Sequence, residues 1–247
     1  MLQSAGDVAV VIPARNESDR IGATVRAAAA LPGVDILVVV DDGSSDATAD
    51  TAQAAGASVI RHARGRGKAA AMQTGAEAVR RLETSSDAAG RHHLLFLDAD
   101  LAETAGAAAP LAAPVRAGQA DMTIAVFRER VKQGGHGFVV ALSGSGIRRA
   151  TGWRPAQPLN GQRCLTRAAF EAALPLAPGF GAETGLTIDL LRQGMRITEV
   201  EVPLAHRATG SDWRSQLHRA RQFLDVARAL APRLVRQRGR PPARGAR

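Results

Sequence analysis

Apolar positions in the first half of the chain fall into short β-branched runs separated by alanine-rich stretches with helical spacing. The runs at residues 8–12, 35–40, 58–61, 93–97 and 122–126 are too short for helices and rich in Val, Ile and Leu, so they predict strands. The stretches at 19–30, 47–55, 69–82 and 105–117 predict helices. Alternation of this kind predicts an α/β fold, with a mostly parallel central sheet flanked by helices on both faces. Ligands of such sheets bind at the carboxyl ends of the strands, where the following loops begin.

The second half is less regular. A glycine-rich stretch (Gly134, Gly135, His136, Gly137) precedes a predicted helix at 138–151. Asn160-Gly161-Gln162 predicts a turn ahead of a short strand and a helix at 167–173. Helices at 184–192 and 213–230 bracket a strand at 197–202, and Trp213, Leu217, Ala220, Leu224 and Ala227 form one stripe of the last helix. Neither an internal repeat nor a domain linker is visible. The expectation is one domain over residues 1–231, in halves 1–126 and 127–231, followed by a disordered basic tail at 232–247.

Composition narrows the choice. A chain of 247 residues with 45% hydrophobic content buries one sizeable core. The longest strongly apolar runs, such as 36–40, are far too short for a bilayer, and no secretory signal is expected at the start. The single cysteine, Cys164, excludes an internal disulfide and fits a reducing, cytoplasmic setting. The net charge is +9, but residues 232–247 carry six arginines and no acid, and subtracting those six leaves +3 for the body. The tail is expected to touch anionic membrane at the inner face only weakly. With six Phe, two Trp and no Tyr, stacking platforms are scarce and specific nucleic-acid binding is not expected.

Four loops carry candidate chemistry. After the first strand come Pro13, Ala14, Arg15, Asn16 and Glu17, whose small Ala14 permits close approach and whose following helix offers amides to a phosphate or base. The same residues also fit an ordinary strand-to-helix turn. After the second strand, Asp41-Asp42-Gly43-Ser44-Ser45-Asp46 contains a helix cap at Ser45 or Asp46 and two further carboxylates able to accept from a base or ribose. The third loop, Arg64 to Lys68, offers cations before a helix; lysine occurs only twice, at Lys68 and Lys132, against thirty arginines. In the fourth, an apolar strand runs into Asp98-Ala99-Asp100. Extended residues i and i+2 point to one side, so Asp98 and Asp100 are expected to converge on a hard divalent cation.

The order and spacing of these motifs resemble the family 2 nucleotide-sugar glycosyltransferases. The carrying stretches are VVIPARNES at 10–18, VVDDGSSDAT at 39–48, GRGKAAAMQTG at 65–75 and FLDADL at 96–101. The resemblance implies a GT-A fold with a Rossmann-like nucleotide-binding half at 1–126 and an acceptor half at 127–231. It also implies a UDP- or GDP-sugar donor and Mg²⁺ or Mn²⁺ as cofactor. By it, Pro13, Ala14, Arg15, Glu17, Asp42, Lys68, Asp98 and Ala99 bind the nucleotide sugar, and Asp98 and Asp100 the metal. The second half is similar to the glucosyl-3-phosphoglycerate synthases over PLNGQ at 158–162, APGFGAETGLTID at 177–189 and VPLAH at 202–206. That likeness implies that His206 completes the metal shell. It places Glu183 at the acceptor, with Gly135, His136, Gly161 and Gln162 as further acceptor-side candidates, and makes Glu183 and Asp100 the catalytic pair. Glu183 would act as base if configuration inverts and as a positioning group if it is retained.

One departure bears on the acceptor. Those synthases hold the acceptor phosphate with an arginine and a threonine after a triple-glycine turn, and the stretch 134–140 has neither. Phosphoglycerate is therefore expected to be a poor acceptor, and another small hydroxylated metabolite or a lipid-linked phosphate to be preferred. No Q-x-x-R-W sequence is present, which favours transfer of a single sugar. Two other classes stay open: a nucleotidyltransferase, which ordinarily begins with a glycine-rich loop that 13–16 is not, and a non-catalytic nucleotide-binding or membrane-docking module. Oligomeric state also stays open, a homodimer being one option.

Overall fold

The computed structural model of the chain describes residues 7–85, 92–127, 137–204 and 213–235. The first half builds β1 (Val8–Ala14), α1 (Ile21–Ala29), β2 (Val34–Asp41), α2 (Thr48–Ala54), β3 (Ser58–Arg61), α3 (Lys68–Ser85) and β4 (His93–Phe96). A 3₁₀ segment (Ala102–Ala108) leads into α4 (Ala109–Arg116) and β5 (Met122–Phe127). Then follow α5 (Gly137–Thr151), β6 (Arg163–Leu165), α6 (Arg167–Ala172), a 3₁₀ turn (Gly179–Gly181), α7 (Ala182–Arg192), β7 (Ile197–Val202) and α8 (Trp213–Val235).

The seven strands form one sheet in the order β3-β2-β1-β4-β6-β5-β7. Every pairing is parallel except those of β6, which runs antiparallel between β4 and β5. The order reverses direction between β1 and β4, the crevice where parallel sheets bind ligands. The reversed direction of β6 matters most for the site. Arg163, its first residue, pairs with Phe96 and Ile124, so the loop entering β6 meets the carboxyl ends of β4 and β5.

Strands covered on both faces should be apolar throughout, and β1 is: Val8, Ala9, Val10, Val11 and Ile12 are all buried. One face packs Val10, Ile12, Leu95 and Leu97 against Ile21, Val25 and Leu111. The other packs Val11, Val38 and Phe96 against Met72, Val79, Phe170 and Leu186. A side chain on Gly75 would come within 2.3 Å of Val11, so this glycine lets α3 lie directly on β1. Its cost to the helix, roughly 1 kcal/mol relative to alanine, is offset by that close packing. The helix expected at 105–117 is instead a 3₁₀ segment followed by a short α-helix that contains Pro114.

The C-terminal boundary needs correction. The domain does not end at residue 231, since α8 continues through Pro232 to Val235. Its inner face is Val226, Ala229 and Leu230, of which Val226 and Leu230 pack with Val139, Ile147 and Ile188. Of the expected stripe, Leu224 is half exposed, and the side chains of Trp213, Leu217 and Ala220 lie outside the described ones. Leu230 lies where a side chain on Gly146 would be, and Ala229 where one on Gly181 would be. Arg233 then forms a two-pronged ion pair with Asp189 of α7, Nε to Oδ1 at 2.8 Å and Nη2 to Oδ2. The basic segment therefore begins as part of the fold. Among the described residues no helix is long and apolar enough to cross a membrane.

Arg233→Ala removes both charge-assisted bonds from a pair that is mostly shielded from water, and should lower stability by about 1–3 kcal/mol. Urea denaturation checks this; an unchanged midpoint would return the segment to a dispensable tail.

Candidate active site at the carboxyl ends of the central strands

The first two loops bond to each other. Asp42 donates its amide to the carbonyl of Ala14 at 2.8 Å. The amide of Asn16 donates to Ser44 Oγ at 2.9 Å, that of Glu17 to Thr48 Oγ1 at 2.8 Å, and that of Ser18 to Asp46 Oδ2 at 3.2 Å. Asn16 Oδ1 accepts in turn from the Ser45 amide at 2.9 Å. The amides expected to meet a phosphate or base are thus already satisfied, because the serine, threonine and aspartate of the second loop reach them first. Asp46 also accepts from Thr48, and these bonds draw its carboxyl down to about 2 against a weaker opposing effect of burial. Neither Ser45 nor Asp46 occupies the cap position of α2, which falls at Ala47. Asp41 is buried and accepts from the amide and hydroxyl of Ser44.

Asp42 is bonded to three protein donors. Its Oδ1 accepts from the Arg66 amide at 2.8 Å and from His62 Nδ1 at 2.7 Å, and its Oδ2 from the Gly67 amide at 2.7 Å. These amides stand at the start of α3, so Asp42 caps that helix from the end of a neighbouring strand. Burial alone would raise its pKa, but the bonds from His62, Arg66 and Gly67 outweigh burial and hold it below the ordinary aspartate value. His62 is itself fixed by Thr74 Oγ1 at 3.0 Å from Nε2. Gly43, with φ +72°, turns so close to Arg64 and Gly65 that a side chain there would strike backbone at 2.7 Å. Arg15 lies over Gly65, where a side chain would meet its guanidinium at 2.5 Å. Arg15, Arg64 and Arg66 are left exposed at this rim.

The Asp98–Asp100 segment is not extended. β4 ends at Phe96, and Ala99 and Asp100 form a turn, so any convergence of the two carboxylates comes from the turn and not from strand alternation. Residues on α1 and just before it hold that turn. Thr24, fully buried, donates to the carbonyl of Ala99 at 2.8 Å and accepts from the amide of Ala102 at 2.8 Å. Arg20 donates to the carbonyl of Asp100 at 3.1 Å. Ala99 is 5% exposed and serves as packing under the turn.

Across from it lies the loop entering β6. Asn160 donates to the carbonyl of Ala125 at 2.7 Å and accepts from the Gln162 amide at 2.9 Å. Gln162, fully buried, donates from Nε2 to Asp98 Oδ2 at 2.7 Å. Through this bond it supports Asp98. Asp98 Oδ1 accepts from Lys68 Nζ at 2.7 Å, and the same ammonium lies 3.0 Å from Glu183 Oε1. Gly161 makes this possible, since a side chain there would meet Lys68 Nζ at 2.2 Å and Asp98 Oδ1 at 2.9 Å. Burial works against the Lys68 charge, but Asp98 and Glu183 outweigh it and its pKa is raised. Glu183, 4% exposed, sits in the first turn of α7, which starts two residues before its expected limit.

The structure thus gathers Lys68, Asp98, Gly161, Gln162 and Glu183 at one point, with Asp100 on the adjoining turn. Pro13, Ala14, Arg15, Glu17 and Asp42 form the neighbouring wall. His206, Gly135 and His136 lie outside the described residues. Among the described residues, no three His, Cys, Asp or Glu side chains form a cluster able to hold a metal. Thr24, His62, Thr74 and Arg163 were not singled out from the sequence for the supporting contacts they make. Thr24 follows the helical core spacing, but Arg163 left a visible signal as a charge opening an apolar strand.

The sheet, with its antiparallel β6 and its loops gathered over the switch point, is the GT-A class of α/β fold. Residues 9–169 match the family described as glycosyl transferase family 2. The chain belongs to that family. It is 31% identical over 199 residues to the glucosyl-3-phosphoglycerate synthase of Mycolicibacterium paratuberculosis, covering 74% of this chain and 59% of that one. It is 28% identical over 212 residues to the glycosyltransferase AglJ of Haloferax volcanii, covering 83% of this chain and 65% of the relative. The chain therefore spans about 60% of the length of the synthases it matches. In three dimensions it superposes on the glucosyl-3-phosphoglycerate synthase of Mycobacterium tuberculosis, solved with Mg²⁺ and uridine diphosphate. The TM-score is 0.73 at 27% identity, covering 94% of this chain and 81% of the other.

Because the Asp42 and Asp46 carboxyls have lowered pKa values in the folded chain, their stabilisation is complete above about pH 4 and is lost as pH falls through the folded values. Asp42→Asn should therefore cost roughly 1–3 kcal/mol at pH 7 and flatten the decline between pH 4 and 2. Denaturant titrations of both proteins at pH 7, 4 and 3 measure this. Parallel pH profiles would show that the α3 cap carries no such energy.

Proposed function

We propose that the chain is a metal-dependent glycosyltransferase that moves one sugar from a nucleoside diphosphate sugar, UDP before GDP, to a hydroxyl of a small phosphorylated acceptor. The observation that carries this reading is the Lys68 ammonium held between Asp98 and Glu183 at the switch point of a family 2 sheet. Sugar transfer leaves a diphosphate on which negative charge grows, and preorganised cations beside it lower the barrier. Lys68 is charged and 25% exposed, and the rim arginines Arg15, Arg64 and Arg66 face solvent next to it. The uridine diphosphate found in the Mycobacterium tuberculosis relative supports a UDP donor.

The residues present fit a hard divalent cation. Carboxylate oxygens are its preferred donors, and two of them with the phosphates of a substrate suffice for Mg²⁺. Asp100 would hold it, with Asp98 alongside and His206 as a further ligand outside the described residues. When bound, the ion neutralises the departing diphosphate. The chain's own residues do the rest. Gln162 donates to one oxygen of Asp98 and Lys68 to the other, which fixes that carboxylate in one orientation. Thr24 and Arg20 hold the turn that presents Asp100. Glu183, with one oxygen 3.0 Å from an ammonium, is suited to accept from a donor or acceptor hydroxyl and so to position it.

For the acceptor, a relative solved with UDP-glucose and glycerol 3-phosphate supports a small phosphorylated hydroxy compound. The stretch 134–140 lacks the arginine and threonine of the synthases, which argues against phosphoglycerate itself.

A panel of UDP- and GDP-sugars with Mg²⁺ or Mn²⁺ should reveal nucleoside diphosphate release that EDTA abolishes. Asp100→Ala should lower the rate by at least about 100-fold with an unchanged melting temperature. Full activity of the variant, or of the wild type in excess EDTA, contradicts the metal reading.

A parallel acceptor series of 3-phosphoglycerate, glycerol 3-phosphate, simple polyols and a short polyprenyl phosphate should place 3-phosphoglycerate among the weaker acceptors. Efficient, saturable transfer to it would overturn the inference from residues 134–140.

A further inference from the structure

Arg163 is a charged side chain with no exposure at all, placed directly behind the site. Its described hydrogen-bond partners are all uncharged: four oxygens and, at 3.9 Å from Nη1, the sulfur of Met122. Nε donates to the carbonyl of Asn160 at 2.7 Å and Nη2 to that of Pro158 at 3.1 Å. Nη1 donates to the carbonyl of Glu183 at 3.1 Å and to Thr187 Oγ1 at 2.9 Å. Burial pulls its pKa down to about 10, with Glu183, Glu199 and Asp98 acting in the opposite direction, so it stays a cation at neutral pH. Taking a guanidinium wholly out of water costs several kcal/mol, and carbonyl partners return less than a carboxylate would. An apolar side chain at the start of β6 would satisfy the sheet equally well. The bonds, however, select two segments in particular. Two go to the loop that carries Gly161 and Gln162, and the others to the first turns of the helix that carries Glu183.

We infer that Arg163 is a positioning residue for the transfer step: it locks the 158–162 loop to the start of α7, and thereby sets the spacing between Gln162–Asp98 and Glu183 across which Lys68 is shared. The inference rests on the proposed transferase reading. Arg163 touches neither donor nor acceptor; its effect passes through the two carboxylates. The nucleotide wall, built from Arg15, Asp42, Gly43 and 64–67, makes no bond to it. Donor binding and acceptor transfer should therefore separate in its variants.

The test uses Arg163→Lys and Arg163→Met in the full chain with the best donor and acceptor. Three readouts are needed: melting temperature, UDP affinity by calorimetry, and the partition of donor between acceptor and water. The expected result is UDP affinity within about three-fold of wild type, a fall in kcat of about 100-fold, the scale of a misplaced catalytic group, and a shift of the partition toward hydrolysis. Unchanged kcat and partition overturn the inference. A parallel loss of UDP affinity, kcat and melting temperature also overturns it, because that pattern is general packing. If neither variant folds, Thr187→Val removes one acceptor of the guanidinium while keeping its charge; it should shift the partition in the same direction, and an unshifted partition counts against the proposal. A wild-type chain that releases no nucleoside diphosphate from any donor would contradict the transferase reading itself, which is a separate outcome.

Discussion

Two carboxylates from different parts of the chain share one ammonium, and the geometry of the site depends on that sharing. Asp98 follows β4, Glu183 opens α7, and Lys68, the first residue of α3, stands 2.7 Å from one and 3.0 Å from the other. Without the lysine, two negative charges would face each other in a partly dry crevice, where attraction and repulsion are both stronger than in water. With it, α3, the end of β4 and the start of α7 are tied at a single point. The absence of a side chain at Gly161 is part of the same arrangement, since any Cβ there would displace the ammonium.

Around this point the chain divides support from contact. Several residues whose type suggests ligand binding are committed to other protein atoms. Asp42 caps α3, Asp41 binds Ser44, and the amides of Asn16, Glu17 and Ser18 are taken by the second loop. Such commitments fix the loops, so that Arg15, Lys68, Asp98 and Asp100 stand at the crevice without further ordering. Arg163 and Thr24 extend the same logic one layer further back, holding the carbonyls of Pro158, Asn160 and Ala99, which lie outside the helices and strands.

Much of this was legible in the sequence, for physical reasons. The continuous apolar run of β1 can only be a strand covered on both faces, and the five strands of the first half fall within a residue or two of their expected limits. Motif order also led to residues that the structure brings together, Lys68, Asp98 and Glu183 among them. What spacing did not show was partnership. Whether Asp42 faces a base or an amide depends on where 64–67 folds, and Gln162 meets Asp98 only because β6 runs antiparallel beside β4. The end of α8 was missed for a related reason. A proline and a run of arginines resemble a disordered tail, whereas the ion pair of Arg233 with Asp189 exists only once α7 and α8 are side by side.

The central claim is that Lys68 and Glu183 act as one unit across the crevice, and a double-mutant cycle measures that directly. Lys68→Met, Glu183→Gln and the double variant are compared with wild type by urea denaturation at neutral pH. If the pair is the tie described here, the interaction energy should be about 1–3 kcal/mol, because Lys68→Met leaves Glu183 buried and uncompensated whereas the double variant does not, and the loss at Asp98 is common to both Lys68 variants and cancels in the cycle. Single-variant losses that simply add, giving a coupling near zero, would contradict the account.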